Sequence, residues 1–358
     1  MSEPNKRKVV FLGAPLDCDE RQEAIDQKLA LAGRGAGQDD PYEQVLAMIR
    51  AEVEESRFRE EGCLEVPGWL RPIPPPADLD KLRVENFVEF MEQEGCRTAA
   101  GALSQAVSAG IWPDIPCLLA VDHSLTGGML AGLAEKIPPP DLSLIVLDSH
   151  LDAMPLPVMA GAIAYDMENN PGSAFDPRDP FLRDRGDAYT ASSFLHHLLK
   201  DGLVLPQNLF VMGISDYPSK RGFRLKDKRM QAYTGIYSGL RSKGARIVTK
   251  AELTGRPAKA AAILGQIKTP YVYISVDMDI GARNALAGVR FDNYQGLNQK
   301  QIYRLAQELG KLQERGIRLA GMDVCEFNPR AMDSEDPTYR IAADLIEMVC
   351  FNRLPAAS

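Results

Sequence analysis

Residues 143–147, Ser-Leu-Ile-Val-Leu, run directly into Asp148-Ser-His150-Leu-Asp152, and this junction constrains the fold more than any other part of the chain. A short apolar run preceded by the loop Pro138-Pro-Pro-Asp141 reads as an interior strand of a parallel sheet. Three metal-type ligands then stand at its carboxyl end, the edge at which open α/β sheets form their binding sites. Alone, the D-x-H-x-D spacing is equally compatible with a solvated acidic turn.

Two other apolar runs end in the same way. Ile115-Pro-Cys-Leu-Leu-Ala-Val121 leads into Asp122-His123-Ser124, and Tyr271-Val-Tyr-Ile-Ser275-Val leads into Asp277-Met-Asp279. The chain has only four histidines, at 123, 150, 196 and 197, and two of them terminate strands beside carboxylates. Taken singly, His123 is explained as a helix-entry residue and Asp277/Asp279 as a capping pair. Three coincident strand ends favour a shared site. Strand candidates lie near 8–13, 115–121, 143–148, 208–213, 245–249, 271–277 and 317–324, with helical patterns in intervals such as 82–109, 125–136, 190–201, 254–267 and 298–315. This alternation predicts a three-layer α/β/α domain with a mostly parallel central sheet. The rigid segment Pro67–Pro76 reads as a loop within a single domain spanning 1–358, the competing reading being a linker between two.

Carboxylate-rich sets with one imidazole per ion suit hard divalent cations such as manganese, whereas zinc more often takes histidine and cysteine. Aspartates also bridge two neighbouring ions, and such a pair lowers the pKa of a water enough to supply hydroxide near neutral pH. The chemistry implied is hydrolysis.

These segments resemble those of the ureohydrolases, the arginase, agmatinase and formimidoylglutamase family, which carries G-G-D-H-S, D-A-H-x-D and S-x-D-x-D in this order. Here they stand as Ala120-Val-Asp-His-Ser124, Asp148-Ser-His-Leu-Asp152 and Ser275-Val-Asp-Met-Asp279. The resemblance implies an arginase-like fold and two divalent ions, manganese first and nickel as a second choice. It assigns His123, Asp148, Asp152 and Asp277 to one ion and Asp148, His150, Asp277 and Asp279 to the other. Glu326, in Ile317-Arg-Leu-Ala-Gly-Met-Asp-Val-Cys-Glu326, inherits the contact to the substrate guanidinium, and Asp152 the transfer of a proton to the departing amine. The segment from Asp336 resembles the family's closing helix. The implied substrate is a small cationic guanidino or formimino compound, and the implied assembly a homo-oligomer, trimer or hexamer.

The departures fall at the substrate end. Ala120-Val121 replaces the paired glycine, Ile280-Gly-Ala-Arg-Asn-Ala-Leu-Ala-Gly-Val-Arg-Phe291 replaces the loop that begins D-P, and the stretch after Asp152 is long and divergent, with helical pattern resuming only near Thr190. His196 and His197 fall in that helix, with Thr190 as candidate cap. Adjacent helix positions point about 100 degrees apart, so at most one histidine faces the ions. The family resembled carries a proton-relaying histidine at the start of the comparable helix, and the resemblance gives that role to one of the two, His196 being preferred over His197.

A net charge of -8 and a pI near 5.2 argue against nucleic acid or an anionic membrane as partner and suit a cationic substrate. The six cysteines show no C-x-x-C spacing and read as reduced, and no signal peptide or membrane span is visible, which predicts a cytoplasmic protein. Two rivals remain: a single-zinc deacetylase-like amidohydrolase, against which the second D-x-D pair weighs, and a non-catalytic homologue that binds a metabolite or acts in assembly. A cluster of buried carboxylates is costly without a function, which weighs against the second.

Overall fold

The computed structural model describes residues 7–32, 40–178, 182, 184–255, 258–330 and 336–354. Eight strands form one sheet: β1 Val9–Ala14, β2 Phe58–Cys63, β3 Ile115–Ala120, β4 Leu142–Leu147, β5 Leu209–Ile214, β6 Arg246–Thr249, β7 Tyr271–Asp277 and β8 Arg318–Cys325. Their order is β2-β1-β3-β8-β7-β4-β5-β6, and every pairing is parallel. The expected mostly parallel sheet is thus wholly parallel. The strand before Pro67–Pro76 pairs into the same sheet as those after it.

Interior strands are buried on both faces, as parallel sheets require. Along β4, Leu144 and Val146 pack into one core while Ile145 and Leu147 pack into the other, the two-residue period of a pleated strand. Helices Pro41–Glu52 (α2), Gln299–Glu314 (α11) and Thr338–Cys350 (α12) supply one outer layer. Gly95–Ala106 (α4), Thr126–Ala134 (α5) and Phe194–Lys200 (α7) belong to the other.

Seven strands match their sequence expectation closely, while β2 escapes it. Phe58-Arg-Glu-Glu-Gly-Cys63 is an edge strand with one side towards solvent, so it lacks the apolar run that marks its neighbours. The helix expected over 82–109 is split: Val84–Glu92 (α3) ends before Glu94, whose left-handed backbone (φ 62°) precedes Gly95 and α4. The divergent stretch after Asp152 contains an unexpected helix, Leu156–Asn169 (α6), packed on Lys228–Ser242 (α8). The helix expected from Thr190 starts at Phe194, and Thr190 does not cap it. All six cysteines are free. Among the described residues no helix is long and apolar enough to cross a membrane.

Candidate metal centre

The four central strands β3, β8, β7 and β4 lie side by side, so the residues that follow them converge. Each junction is shaped by its own aspartate. Asp122 accepts from the Ser124 amide at 3.1 Å, Asp148 from His150 at 2.6 Å and Asp277 from Asp279 at 2.8 Å, each side chain turning the chain as its strand stops. Behind them Gly213 (φ 117°) allows close approach: a Cβ there would lie 2.9 Å from the Asp148 carbonyl oxygen.

The turns bring six carboxyl and imidazole groups together in two overlapping sets. His123, Asp148, Asp152 and Asp277 offer ligand atoms within 4.8 Å of one another, as do Asp148, His150 and Asp279. His123 Nδ1 lies 2.8 Å from Asp152 Oδ2, 3.3 Å from Asp277 Oδ2 and 3.6 Å from Asp148 Oδ2, while His150 Nδ1 lies 2.8 Å from Asp279 Oδ2. All six residues named from the sequence therefore meet, with Asp148 common to both sets. Only the His150 side chain, 43% exposed, reaches solvent freely.

The His123 ring is oriented from behind. Ser275 Oγ gives its one proton to Asp323 Oδ1 (2.7 Å), so at 2.8 Å it accepts from His123 Nε2, which leaves Nδ1 as a lone pair aimed into the cluster. Tyr273 and Cys325 also donate to Asp323. Two site residues occupy left-handed backbone, Asp152 (φ 50°) and Glu326 (φ 66°), a strain of roughly 1–3 kcal/mol each that the surroundings must hold in place.

The electrostatics fit cations. Burial and the repulsion of Asp152, Asp277 and Asp279 push the Asp148 carboxyl well up, and burial with Asp279 raises Asp277 to about 7. Burial opposes a charge on His123, yet Asp152 and Asp277 outweigh it and lift the imidazole well above its usual range. The imidazoles are thus drawn to protonate as counter-charges for carboxylates that have none. His123 Nδ1, Asp148 Oδ2 and Asp279 Oδ2 are buried without a hydrogen-bond partner. Such orphaned donors, all oxygen or imidazole nitrogen, suit hard divalent ions.

The structure places other residues differently. His196 is not among the gathered groups: its Nε2 lies 3.5 Å from Asp187, and His197 meets Arg97 at 3.0 Å. What α7 presents to the cluster is Phe194, its ring 4.8 Å from that of His123. Glu326 sits beside the centre, Oε1 accepting from the His123 amide at 2.9 Å while Oε2 is buried and unpartnered.

Two residues were missed. Asp216 follows β5 as the aspartates follow β3, β4 and β7, so the same strand-end reading finds it; burial, against the pull of His150, raises its carboxyl to about 6. Arg290, from the divergent loop, places its guanidinium on Asp122 and Glu326, each at 3.0 Å. Nothing local in the sequence signals that contact.

An eight-stranded parallel sheet with an acidic, imidazole-bearing cluster at its central strand ends defines an arginase-like α/β protein. The Arginase family profile matches residues 7–351, and the chain belongs to that family. It is a hydrolase of the ureohydrolase type. Arginase from Bacillus caldovelox superposes with a TM-score of 0.62 at 16% identity, covering 98% of this chain and 100% of its own. Proclavaminate amidino hydrolase from Streptomyces clavuligerus gives 0.57 at 19%, covering 98% and 92%, and formimidoylglutamase from Bacillus subtilis gives 0.59 at 16%, covering 99% and 90%. At these identities the likeness is one of fold. No curated protein sequence matches significantly.

Proposed function

We propose that the whole chain is one catalytic unit that hydrolyses a C–N bond of a small guanidino or formimino compound at a centre holding two divalent ions, manganese first and nickel second. The observation that carries this reading is the trio of buried atoms His123 Nδ1, Asp148 Oδ2 and Asp279 Oδ2, gathered in one cluster with no hydrogen bond to satisfy them. His123, Asp148, Asp152 and Asp277 would hold one ion and Asp148, His150, Asp277 and Asp279 the other. When bound, such a pair supplies an acidified water and offsets the carboxylate charge.

The chain's own groups do the rest. Asp152, backed by the bond from the Leu195 amide to its carbonyl (3.0 Å), is positioned to accept a proton at its carboxylate and return it to the leaving amine. Glu326 offers its free Oε2 to an N–H of the substrate. Phe291, its ring 5.9 Å from that of His150, walls the solvent-facing side. Asp216, whose carboxyl burial pushes up to about 6 and which feels His150, Asp152 and Asp279, takes the role of exchanging protons with solvent in place of His196. The protein is read as a cytoplasmic homo-oligomer, trimer or hexamer.

The test is metal counting with a substrate screen. Two ions per chain and urea, ammonia or formamide release from arginine, agmatine, guanidinobutyrate, formimidoylglutamate or guanidine support the reading. One tightly held zinc per chain would sink it in favour of the deacetylase-like alternative.

A further inference from the structure

Arg290 is a fully enclosed guanidinium at the edge of the centre, 8% exposed. Its Nη1 donates to the Val121 carbonyl at 3.2 Å, to Asp122 Oδ2 at 3.0 Å and to Glu326 Oε1 at 3.0 Å. The Glu326 oxygen it uses is the one that also accepts from the amide of His123, whose ring lies in the cluster. One half of the carboxylate is therefore engaged by the chain itself. Only Oε2 is left for a ligand.

The contact is built into the loop. The Arg290 amide donates to the Glu326 carbonyl at 3.1 Å and Val289 bridges to Phe327, so arginine and glutamate are held in register by main chain. Arg21 donates to the Arg290 carbonyl at 3.1 Å and lies 3.9 Å over the ring of Phe291. Behind, Arg290 joins Asp17, which pairs with Lys28 and Arg330, and Asp19 pairs with Arg21. In the ion pairs of this network four carboxylates (Asp17, Asp19, Asp122, Glu326) face four cations (Arg21, Lys28, Arg290, Arg330), equal in number. A carboxylate so balanced has little attraction left for a second cation, and a guanidinium binds best to a carboxylate that offers both oxygens to its fork.

Resting on the hydrolase reading above, we propose that Arg290 is a specificity-determining residue: it fills the guanidinium position on Glu326, so the centre receives a C–N group that meets Oε2 uncharged and through a single N–H, and it turns guanidinium ions away. Within the linear amidines this selects those that bind in the unprotonated form. It also extends the candidates to neutral isosteres of the ureido and carbamoyl kind.

Butylurea and butylguanidinium have nearly the same shape and differ in charge, which makes them the probes. Each is titrated by calorimetry into manganese-treated protein, with bound metal counted on the same samples. The wild type should favour butylurea, and Arg290→Met should reverse the order, gaining roughly tenfold for butylguanidinium, the scale of one charge-assisted hydrogen bond. The gain should vanish in Arg290→Met with Glu326→Gln. Tighter binding of butylguanidinium than of butylurea by the wild type would overturn the proposal without any variant being needed. So would a gain that survives the glutamine. Arg290→Lys, which keeps the charge and loses the fork, covers the case in which the methionine variant fails to fold, and it should retain the wild-type preference. A metal count below two overturns the hydrolase reading alone, since the ligand preference is read separately.

Discussion

At the ends of β3, β4 and β7 each junction is turned by a bond two residues long, whereas the loop from Ile280 to Leu297 also depends on bonds that span 14 to 168 residues. Asp122, Asp148 and Asp277 each fold their own junction. In the loop, Arg290 reaches Asp122 across 168 residues and Asn293 donates to the Asp279 carbonyl, while Gly296 passes so close to Gly281 that a Cβ would collide with its backbone. Local devices survive divergence of the surrounding chain because they need only their own few residues. Long-range devices depend on several distant residues at once, and the loop that carries them is where this chain departs from the family pattern.

The sharpest way to break this contrast is at the shared ligand. Asp148→Ala or Asp277→Ala should abolish metal uptake and activity together, measured by elemental analysis and product release, while the fold persists by circular dichroism. Full metal occupancy with full activity in either variant refutes the bridging assignment.

On the loop side, Asp17→Asn leaves Arg290, Arg330 and Lys28 without their common partner and should cost about 3–5 kcal/mol of stability. Burial opposes the Asp17 charge, but Arg330, Lys28 and Arg290 outweigh it and hold the carboxyl well below the usual aspartate range. Because the folded pKa lies below the unfolded one, this stability is present above about pH 4 and is lost as the pH falls further. Urea midpoints taken from pH 7 down to 3 should therefore fall for the wild type and stay flatter for the asparagine variant; parallel curves would remove Asp17 from the account.

Ser275→Ala removes the acceptor that fixes the His123 ring and should weaken metal affinity about 10–100-fold, with little change in substrate preference. Glu326→Gln should do the reverse, leaving the metal count unchanged and raising KM roughly tenfold through disturbance of the carboxylate that Arg290 and the substrate share. Equal effects of both changes on metal and substrate would erase the distinction between the two regions. The smallest effect is expected at His196: replacement by alanine should shift stability by about 0.5 kcal/mol or less and leave the pH profile in place, whereas Asp216→Asn should remove its limb near pH 6.

The legible parts of the fold are those whose signal lies within a few residues. Interior strands such as β4 announce themselves because burial on both faces demands unbroken apolar runs, while β2, exposed along one edge, carries Arg59, Glu60 and Glu61 and reads as loop. The helix at Gln299–Glu314 is bounded by a capping box of Asn298 and Gln301, whereas the break at Glu94 depends on a left-handed residue that no local pattern marks. His196 and His197 show the limit for side chains: the sequence places them on one helix, and packing of Phe194 against His123 decides that neither enters the cluster.

By itself the sequence determined the parallel α/β architecture and which residues stand at the strand ends, because strand, turn and ligand are encoded together over about ten residues. Only the tertiary structure decided that Arg290 lies on Glu326, that Asp216 comes within electrostatic reach of His150, Asp152 and Asp279, and that the two histidines of α7 stand apart. Those outcomes depend on which distant charges are buried together, and a buried charge takes whichever partner the packed chain brings within hydrogen-bond reach.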